Sequence, residues 1–185
     1  MRRWDNVEAF RIRDLLPDEV PALAELAART YRETFGEDLE EEELAAELEE
    51  SRSEAYFRDA MRQDTFLVVE VAGSLVGYVQ LSDVKVTVRG APEDLRPRPG
   101  DQAVNALYVS KDRQGMGIGR ALLHAAFAHE RFRKAAAIFI DVWEENRRAV
   151  TFYRSYGFQS VGHCDVVMGG EVVGSDLVLR KTVAP

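Results

Sequence analysis

Apolar positions in the first third of the chain recur at helical spacing. Between Val20 and Tyr31 they fall three and four residues apart, which predicts an amphipathic helix that ends near Gly36. A second helical region is predicted from about Leu39 to Gln63. Ahead of both, the alternation of polar and apolar residues from Glu8 to Arg13 predicts a short first strand.

From residue 65 onward, strand patterns become frequent. The β-rich runs Thr65–Ala72 and Leu75–Leu81 are separated by Gly73-Ser74, which predicts an antiparallel hairpin. A long surface loop is expected from Ser82 to Val104, because glycines and prolines are scattered there among charged residues. Loops of this length tend to be functional or disordered.

The second half of the chain alternates strands with helices. Asn105–Val109 is an apolar strand, and the glycine-rich loop after it opens a helix that runs to about Arg133. Ala135–Val142 is nearly all apolar and suits a central strand buried on both faces. A short helix is expected from Glu144 to Phe158, with Asn146 where an N-cap would be.

The chain is predicted to close with a second hairpin. The runs Gln159–Met168 and Glu171–Thr182 are joined through Gly169-Gly170. Strands and helices therefore interleave, which predicts an α/β fold of the mixed α+β kind. We expect a central mixed β-sheet of about six or seven strands, flanked by about four helices, in a single domain that covers residues 1–185.

Composition and charge narrow the class of protein. The 185 residues carry 24 Lys and Arg against 32 Asp and Glu, a formal net charge of −8. This balance disfavours nucleic acid and anionic membranes as partners and favours a cationic substrate. The single cysteine, Cys164, excludes an intrachain disulfide, and no long uncharged apolar run is present. We therefore expect a cytoplasmic protein.

The stretch from Glu37 to Glu50 is strongly acidic and has no basic residue. Its acidic side chains are Glu37, Asp38, Glu40, Glu41, Glu42, Glu43, Glu47, Glu49 and Glu50. Two interpretations stay open: a solvated helix face, which most charge runs are, or an acidic rim that attracts a polyamine.

The glycine-rich segment after the strand Asn105–Val109 predicts a phosphate site. Gly115, Gly117 and Gly119 stand at alternate positions where a helix begins, and N–H groups at a helix start have no intrahelical partner. A dinucleotide G-x-G-x-x-G motif is excluded, because no glycine stands at the sixth position from Gly115 or Gly117. The nucleotide-triphosphate motif also fails, because no Lys-Ser or Lys-Thr pair follows these glycines.

Two motifs together carry a resemblance to a known family. Gln114, Gly117 and Gly119 fill the pattern Q/R-x-x-G-x-G/A, and the chain thereby resembles the GNAT superfamily of N-acetyltransferases, in which this pattern binds acetyl-CoA. A downstream segment looks like the family's later helix motif N-x-x-A-x-x-x-Y-x-x-x-G-F. Its residues are Asn146, Ala149, Phe152, Tyr153, Gly157 and Phe158.

Shorter matches look most like one branch of the superfamily. Thr30–Phe35, Met168–Glu171 and Asp176-Leu177 resemble the PaiA-like proteins, which acetylate spermidine and spermine. The implied activity is transfer of acetyl from acetyl-CoA to a primary amine, with a small amine or polyamine favoured, by direct attack in a ternary complex. Two alternatives stay open: acetylation of a protein N-terminus or lysine, and a non-catalytic CoA-binding sensor domain.

The resemblance also implies where acetyl-CoA binds. Leu107 and Val109 would hold the pantetheine arm through main-chain atoms, and the Val109 N–H would stabilise charge on the thioester oxygen. The loop would cradle the pyrophosphate with backbone N–H groups, with Arg113 and Arg120 as charge partners. The implied cofactor-binding residues are Leu107, Tyr108, Val109, Gln114, Gly115, Met116, Gly117, Ile118, Gly119, Arg120 and Asn146.

For catalysis, the resemblance makes Tyr153 the general acid that protonates the departing thiolate. Asn146 stands seven residues earlier and shares its helix stripe. The base that takes a proton from the amine is not evident, because Ala103 and Asn105 stand where many relatives carry a glutamate. A water relay is one substitute. Four carboxylates are unranked others: Glu70, Asp101, Asp141 and Glu144.

The remaining reactive side chains lie outside both motifs. Cys164, next to His163, is expected to be a small buried residue rather than an acyl carrier. His124 and His129 form no metal-ligand constellation, so we expect no metal. A nucleotide-binding regulator is a third alternative that rests on glycine richness alone. The resemblance also allows a homodimer.

Overall fold

A single seven-stranded sheet organises the chain, with the strand order β1-β2-β3-β4-β5-β7-β6. The computed structural model describes residues 9–37, 39–168 and 170–183. The strands are β1 (Arg11–Asp14), β2 (Thr65–Val71), β3 (Ser74–Asp83), β4 (Gln102–Val109), β5 (Ala137–Trp143), β6 (Gln159–Met168) and β7 (Glu171–Thr182). The parallel pair β4–β5 stands beside antiparallel pairs β1–β2, β5–β7 and β6–β7, so the sheet is mixed. The predicted fold class is confirmed.

The α-helices of the described residues are α1 (Val20–Phe35), α2 (Glu41–Arg52), α3 (Glu54–Ala60), α4 (Ile118–Ala128), α5 (Glu130–Arg133) and α6 (Arg147–Ser155). This is more than the predicted four, because two predicted helices are each divided in two. Ser53 is extended (ψ 162°) and its hydroxyl caps α3 by accepting from the Tyr56 N–H. His129 is likewise extended (ψ 141°) and its ring nitrogen caps α5. None of the described helices is long and apolar enough to cross a membrane.

The structure corrects the predicted position of the first hairpin turn and the predicted start of β4. The first hairpin turns at Ala72 (φ 49°) and Gly73 (φ 81°), one residue earlier than predicted, and positive φ at both central residues matches the strand twist. β4 begins at Gln102 and not at Asn105, because Gln102 and Ala103 pair with β5. Glu8 of the predicted first strand, Gly169 of the closing turn and Asp38 of the acidic stretch lie outside the described residues.

Chain contacts divide the protein into two compact units, Met1–Gln80 with Ala106–Phe127 and Leu81–Asn105 with Ala128–Pro185. The single domain predicted for residues 1–185 stays a prediction. In the first unit, the apolar stripe of α1 packs against β2 and β3, and Phe57 of α3 meets Phe66 and Tyr78 edge to face. This burial fixes α1 on the sheet.

The acidic stretch lies mainly on the solvent side of α2. Leu44 and Leu48 are buried with Tyr31, whereas Glu41 to Glu43, Glu49 and Glu50 are exposed. An amphipathic helix places its charges in this way without any ligand. The solvated-face interpretation therefore accounts for these side chains.

In the second unit, the long predicted loop is tied to the sheet. Arg89 and His163 exchange two backbone hydrogen bonds, of 2.7 and 3.0 Å, in an isolated antiparallel bridge. Val88 and Ala91 are buried against Phe139, Cys164 and Val178. The segment is thus an ordered strap over β5–β7 for part of its length.

The strap packs so closely on β6 at Gly162 that there is no room for a side chain at this position. A Cβ at Gly162 would clash with the Arg89 carbonyl oxygen and lie 2.9 Å from Val88 Cγ1. We expect Gly162→Ala to lower the free energy of unfolding by about 1–3 kcal/mol, the usual cost of overpacking. Urea unfolding measures this. The control Gly174→Ala, on β7, adds a methyl 4.0 Å from Val166 Cβ and should be nearly neutral; equal losses in both variants would refute the prediction.

Candidate active site

The glycine loop has an open backbone that only glycine adopts readily. After β4, the chain makes a short 3-10 turn at Lys111–Arg113 and then reaches Gly115 and Gly117, whose φ angles are +81° and +84°. A Cβ on either glycine would meet no atom within 4 Å. Backbone conformation, and not crowding, therefore requires glycine, and both glycines are exposed to solvent.

The loop leads directly into α4, which supplies a helix N-terminus. The Ala121 N–H donates to the Gly117 carbonyl at 3.0 Å, so Gly117 begins the hydrogen-bonded turn. Met116 is 56% exposed, and Gln114 and Arg120 are exposed as well. Ile118, in contrast, is buried and anchors the helix. The first N–H groups of a helix have no intrahelical partner, and together with the positive end of the helix dipole they make this segment suitable for an anion.

Gln114 shapes the loop through its side chain. Its Nε2 donates to the carbonyl oxygen of Val109 at 3.1 Å, which ties the loop to the end of β4. A Cβ at Gly119 would lie 3.8 Å from Leu107 and 3.9 Å from Val109, in ordinary contact distance. Protein packing alone does not require glycine at that position.

Helix α1 supports the beginning of the loop, which the sequence patterns did not indicate. Arg29 Nη2 donates to Ser110 Oγ at 3.2 Å, and Glu33 Oε2 accepts the Lys111 N–H at 3.2 Å. The same side chains line a groove of about 660 Å³, together with residues 74–76 and 110–113. Periodicity along α1 cannot reveal these contacts, because their partners lie some 80 residues away.

The side chain of Tyr108 lies in an aromatic cluster and not in the loop. Its ring stacks on Tyr78 with centroids 5.8 Å apart and lies 6.5 Å from Tyr31. The buried Arg52 guanidinium lies over the Tyr31 ring at 4.7 Å, with Nη1 donating to the Ser51 carbonyl at 2.8 Å. The cofactor role of Tyr108 stays a prediction. This cluster was also missed, because its members come from four separate elements.

Asn146 and Tyr153 lie on α6 in the second unit, at its start and near its end. Asn146 Oδ1 accepts the Ala149 N–H at 3.0 Å, which confirms the predicted N-cap, and leaves the amide nitrogen for other contacts. Tyr153 is buried, with its ring against Phe152 and Phe158 at centroid distances of 5.1 and 5.7 Å. Their roles toward acetyl-CoA stay predictions.

The four carboxylates considered as bases differ in their hydrogen-bond partners and burial. Glu70 Oε2 accepts from Arg13 Nε and Nη2 at 3.0 and 2.7 Å. Buried Asp101 accepts backbone N–H groups from Arg98 and Ala137 at 2.9 and 3.0 Å, so it holds the chain together. Glu144 is exposed to solvent. Asp141 differs from these three, because burial raises its pKa above the ordinary aspartate value.

Cys164 is unsuited to act as a nucleophile. Burial, with the nearby Asp141, Asp176 and Asp165, raises the pKa of its thiol to about 12. The thiol is therefore protonated at neutral pH. The predicted small buried role is confirmed. Within residues 9–37, 39–168 and 170–183, no three His, Cys, Asp or Glu side chains are grouped to hold a metal ion.

A mixed sheet with a glycine loop that suits an anion at the start of α4 is the arrangement expected of an acyl-CoA-dependent enzyme. The sequence profile of the Acetyltransferase (GNAT) family matches residues 20–158, and the chain belongs to this family. The resemblance inferred from the two motifs is thus confirmed. The protein is an acetyltransferase whose acetyl donor is acetyl-CoA.

Relatives agree with this assignment. An uncharacterized N-acetyltransferase from the pepI 3′ region of Lactobacillus delbrueckii subsp. lactis is 27% identical over 169 residues, 89% of this chain and 92% of that protein. Mycothiol acetyltransferase from Cellulomonas flavigena is 34% identical over 134 residues, 71% of this chain but 35% of that protein, so the chain spans about a third of that relative. PaiA N-acetyltransferase from Thermoplasma acidophilum, solved in complex with coenzyme A, has a TM-score of 0.74 at 19% identity, covering 95% and 99% of the two chains. That identity supports the fold alone.

Proposed function

We propose that the protein acetylates a primary amine, with a small amine or polyamine favoured, by direct attack of the amine on acetyl-CoA in a ternary complex. The observation that carries this proposal is the open glycine loop, in which Gly115 and Gly117 have positive φ and open space beside them just before α4, where the first N–H groups of the helix lack intrahelical partners. The coenzyme A bound by the PaiA neighbour supports a pyrophosphate as the guest. The net charge of −8 favours a cationic acceptor.

In this proposal, the loop from Gln114 to Arg120 holds the pyrophosphate through backbone N–H groups and the dipole of α4. Main-chain atoms of Leu107 and Val109 bind the pantetheine amides, and the Val109 N–H stabilises negative charge on the thioester oxygen. Tyr153 gives its proton to the thiolate as the C–S bond breaks. A thiol and a phenol differ by about 1.5 pKa units, so the transfer is roughly 2 kcal/mol uphill in water, which alignment in the site offsets.

The experiment that tests this function measures free-thiol release from acetyl-CoA across a panel of acceptors. We expect turnover with primary amines, including spermidine and spermine, and one N-acetyl product per thiol released, measured by mass spectrometry. Turnover with peptides alone would overturn the small-amine proposal and favour acetylation of protein N-termini or lysines. Tight acetyl-CoA binding without turnover on any acceptor would contradict an enzymatic role and favour a sensor domain.

A further inference from the structure

Two neighbouring residues at the start of the glycine loop are held by helix α1. Arg29 Nη2 donates to Ser110 Oγ at 3.2 Å, and Glu33 Oε2 accepts the Lys111 N–H, also at 3.2 Å. All these residues belong to the first unit, as does the loop itself. Because the two contacts fall on adjacent residues, they restrain both the position and the direction of the backbone where the loop begins.

Arg29 and Glu33 contact the loop instead of each other. They stand four residues apart on α1, the spacing at which opposite charges on a helix commonly pair. Both side chains are exposed, yet within the described part of the chain their hydrogen bonds go to residues 110 and 111, and no ion pair joins them. The two side chains therefore hold the loop rather than stabilise α1 as a pair.

Ser110 is the fixed end of the loop. Its N–H donates to the Val76 carbonyl oxygen of β3 at 2.9 Å, and its own carbonyl oxygen accepts the Arg113 N–H at 2.9 Å. The residue is buried, with 3% of its surface exposed. At the other end, the Gly117 carbonyl oxygen accepts the Ala121 N–H at 3.0 Å as α4 begins. The loop thus spans two anchored ends, and α1 helps to anchor the first.

The segment between these ends is costly to order. Gly115 and Gly117 have positive φ angles, and glycine loses more conformational freedom than any other residue when it is fixed. Part of the binding free energy of a ligand is spent on ordering the loop that holds it, and this cost is smaller when the loop is already held at its ends. Contacts that fix the start of a loop therefore raise affinity without touching the ligand.

We infer that Arg29 and Glu33 are positioning residues for acetyl-CoA binding, which act through Ser110 and Lys111 by fixing the start of the loop that holds the pyrophosphate. This inference rests on the proposed function, which places the pyrophosphate in that loop. It extends the determinants of cofactor affinity to α1, a helix that contains no residue of the two sequence motifs.

The sign of the effect at Glu33 separates positioning from charge. Acetyl-CoA is an anion, so the loss of a nearby negative charge would strengthen its binding if charge alone mattered. Positioning predicts the opposite: Glu33→Ala removes the acceptor of the Lys111 N–H and should raise the acetyl-CoA dissociation constant about three- to tenfold. Glu33→Gln keeps an oxygen that can accept this N–H and should bind like wild type. The control Glu25→Ala removes an exposed glutamate eight positions earlier on α1 and should also bind like wild type.

A double-mutant cycle tests whether Arg29 acts through Ser110. Arg29→Met keeps an aliphatic stem but removes the guanidinium, and Ser110→Ala removes the hydroxyl that accepts from it. We expect each variant to bind acetyl-CoA about three- to tenfold more weakly. The double variant should lose no more than the larger single loss, because the shared hydrogen bond is already absent. Losses that multiply in the double variant would show that the two side chains act independently, and would overturn the inference for Arg29.

Isothermal titration calorimetry with acetyl-CoA measures these dissociation constants without turnover, and steady-state kinetics gives a second readout. An interaction that holds substrate and transition state alike changes KM and not kcat. In Glu33→Ala and Arg29→Met, the KM for acetyl-CoA should therefore rise while kcat stays within about twofold of wild type. Unchanged or tighter acetyl-CoA binding in Glu33→Ala would overturn the inference, as would a fall in kcat with an unchanged KM.

The variant Gly117→Asp, which places a carboxylate within the loop itself, separates this inference from the proposed function. If Gly117→Asp weakens acetyl-CoA binding and neither Glu33→Ala nor Arg29→Met does, the inference fails and the proposed pyrophosphate site stands. If none of the three variants changes the dissociation constant, both fail. Weaker binding in Glu33→Ala, in a protein that acetylates no acceptor of the panel, would support the inference and overturn the enzymatic role.

Discussion

Gly117→Asp should weaken acetyl-CoA binding at least about tenfold. The loop holds Gly117 at φ +84° with open space beside it, so the new carboxylate would stand where the pyrophosphate is expected. Two like charges about 4 Å apart repel by about 1 kcal/mol in water and about 4 kcal/mol at the effective dielectric of a protein surface. This repulsion predicts the loss of affinity for acetyl-CoA. Isothermal titration calorimetry with acetyl-CoA measures it.

The matched control is Gly100→Asp. Gly100 has φ +92° in the 98–101 turn and also has no atom within 4 Å of a built Cβ, so both variants carry the same backbone cost of about 1–2 kcal/mol. Their unfolding free energies should therefore fall by similar amounts. Only Gly117→Asp should change the affinity for acetyl-CoA. Equal acetyl-CoA dissociation constants in the two variants would show that the loop does not bind the pyrophosphate.

Tyr153→Phe should lower kcat by about 10²-fold or more, with the KM for acetyl-CoA nearly unchanged. General acid catalysis typically contributes about 10²–10⁴-fold, and the substitution removes only the hydroxyl that would protonate the thiolate. The phenyl ring keeps its edge-to-face contacts with Phe152 and Phe158, so the fold should persist. Steady-state kinetics by thiol release, with thermal unfolding as the check on the fold, measures this effect.

Tyr156→Phe is the control for this change. Tyr156 follows α6 at its C-cap, and its ring lies 5.2 Å from Phe152, so it belongs to the same aromatic group. We expect the kcat of the Tyr156→Phe variant to stay within about twofold of wild type, since Tyr156 has no place in the motif. A Tyr153→Phe enzyme as active as Tyr156→Phe would show that Tyr153 serves packing alone.

Much of the candidate site could be predicted because its signals are local. Alternate glycines specify positive φ angles at Gly115 and Gly117, and Asn146 with Gly157 marks the two ends of α6. Such signals depend on only a few neighbouring residues, so they predict the same local conformation whatever the tertiary fold. The division at Ser53 is also local, since a serine directly before Glu54 is an ordinary N-cap.

Other arrangements in the molecule depend on which distant segments pair. Asp141 and Asp176 are 35 positions apart and share a face only because β5 and β7 pair in one particular register, in which a shift by a single residue would turn one of them to the other face. The same holds for Arg29 and Glu33, which reach the loop only because α1 packs on β2 and β3. Neither arrangement has a signature along the chain.

The sequence by itself determined the glycine loop, the capped helix that follows β5, the mixed sheet and the acetyl-CoA family, because each is encoded in short-range patterns of conformation and hydrophobicity. Only the tertiary structure decided which carboxylates are engaged and which are not. Glu70 accepts hydrogen bonds from Arg13 and Asp101 accepts two backbone N–H groups, whereas burial raises the pKa of Asp141. Burial and charge pairing set the chemistry of a carboxyl group, and both arise when the chain has folded.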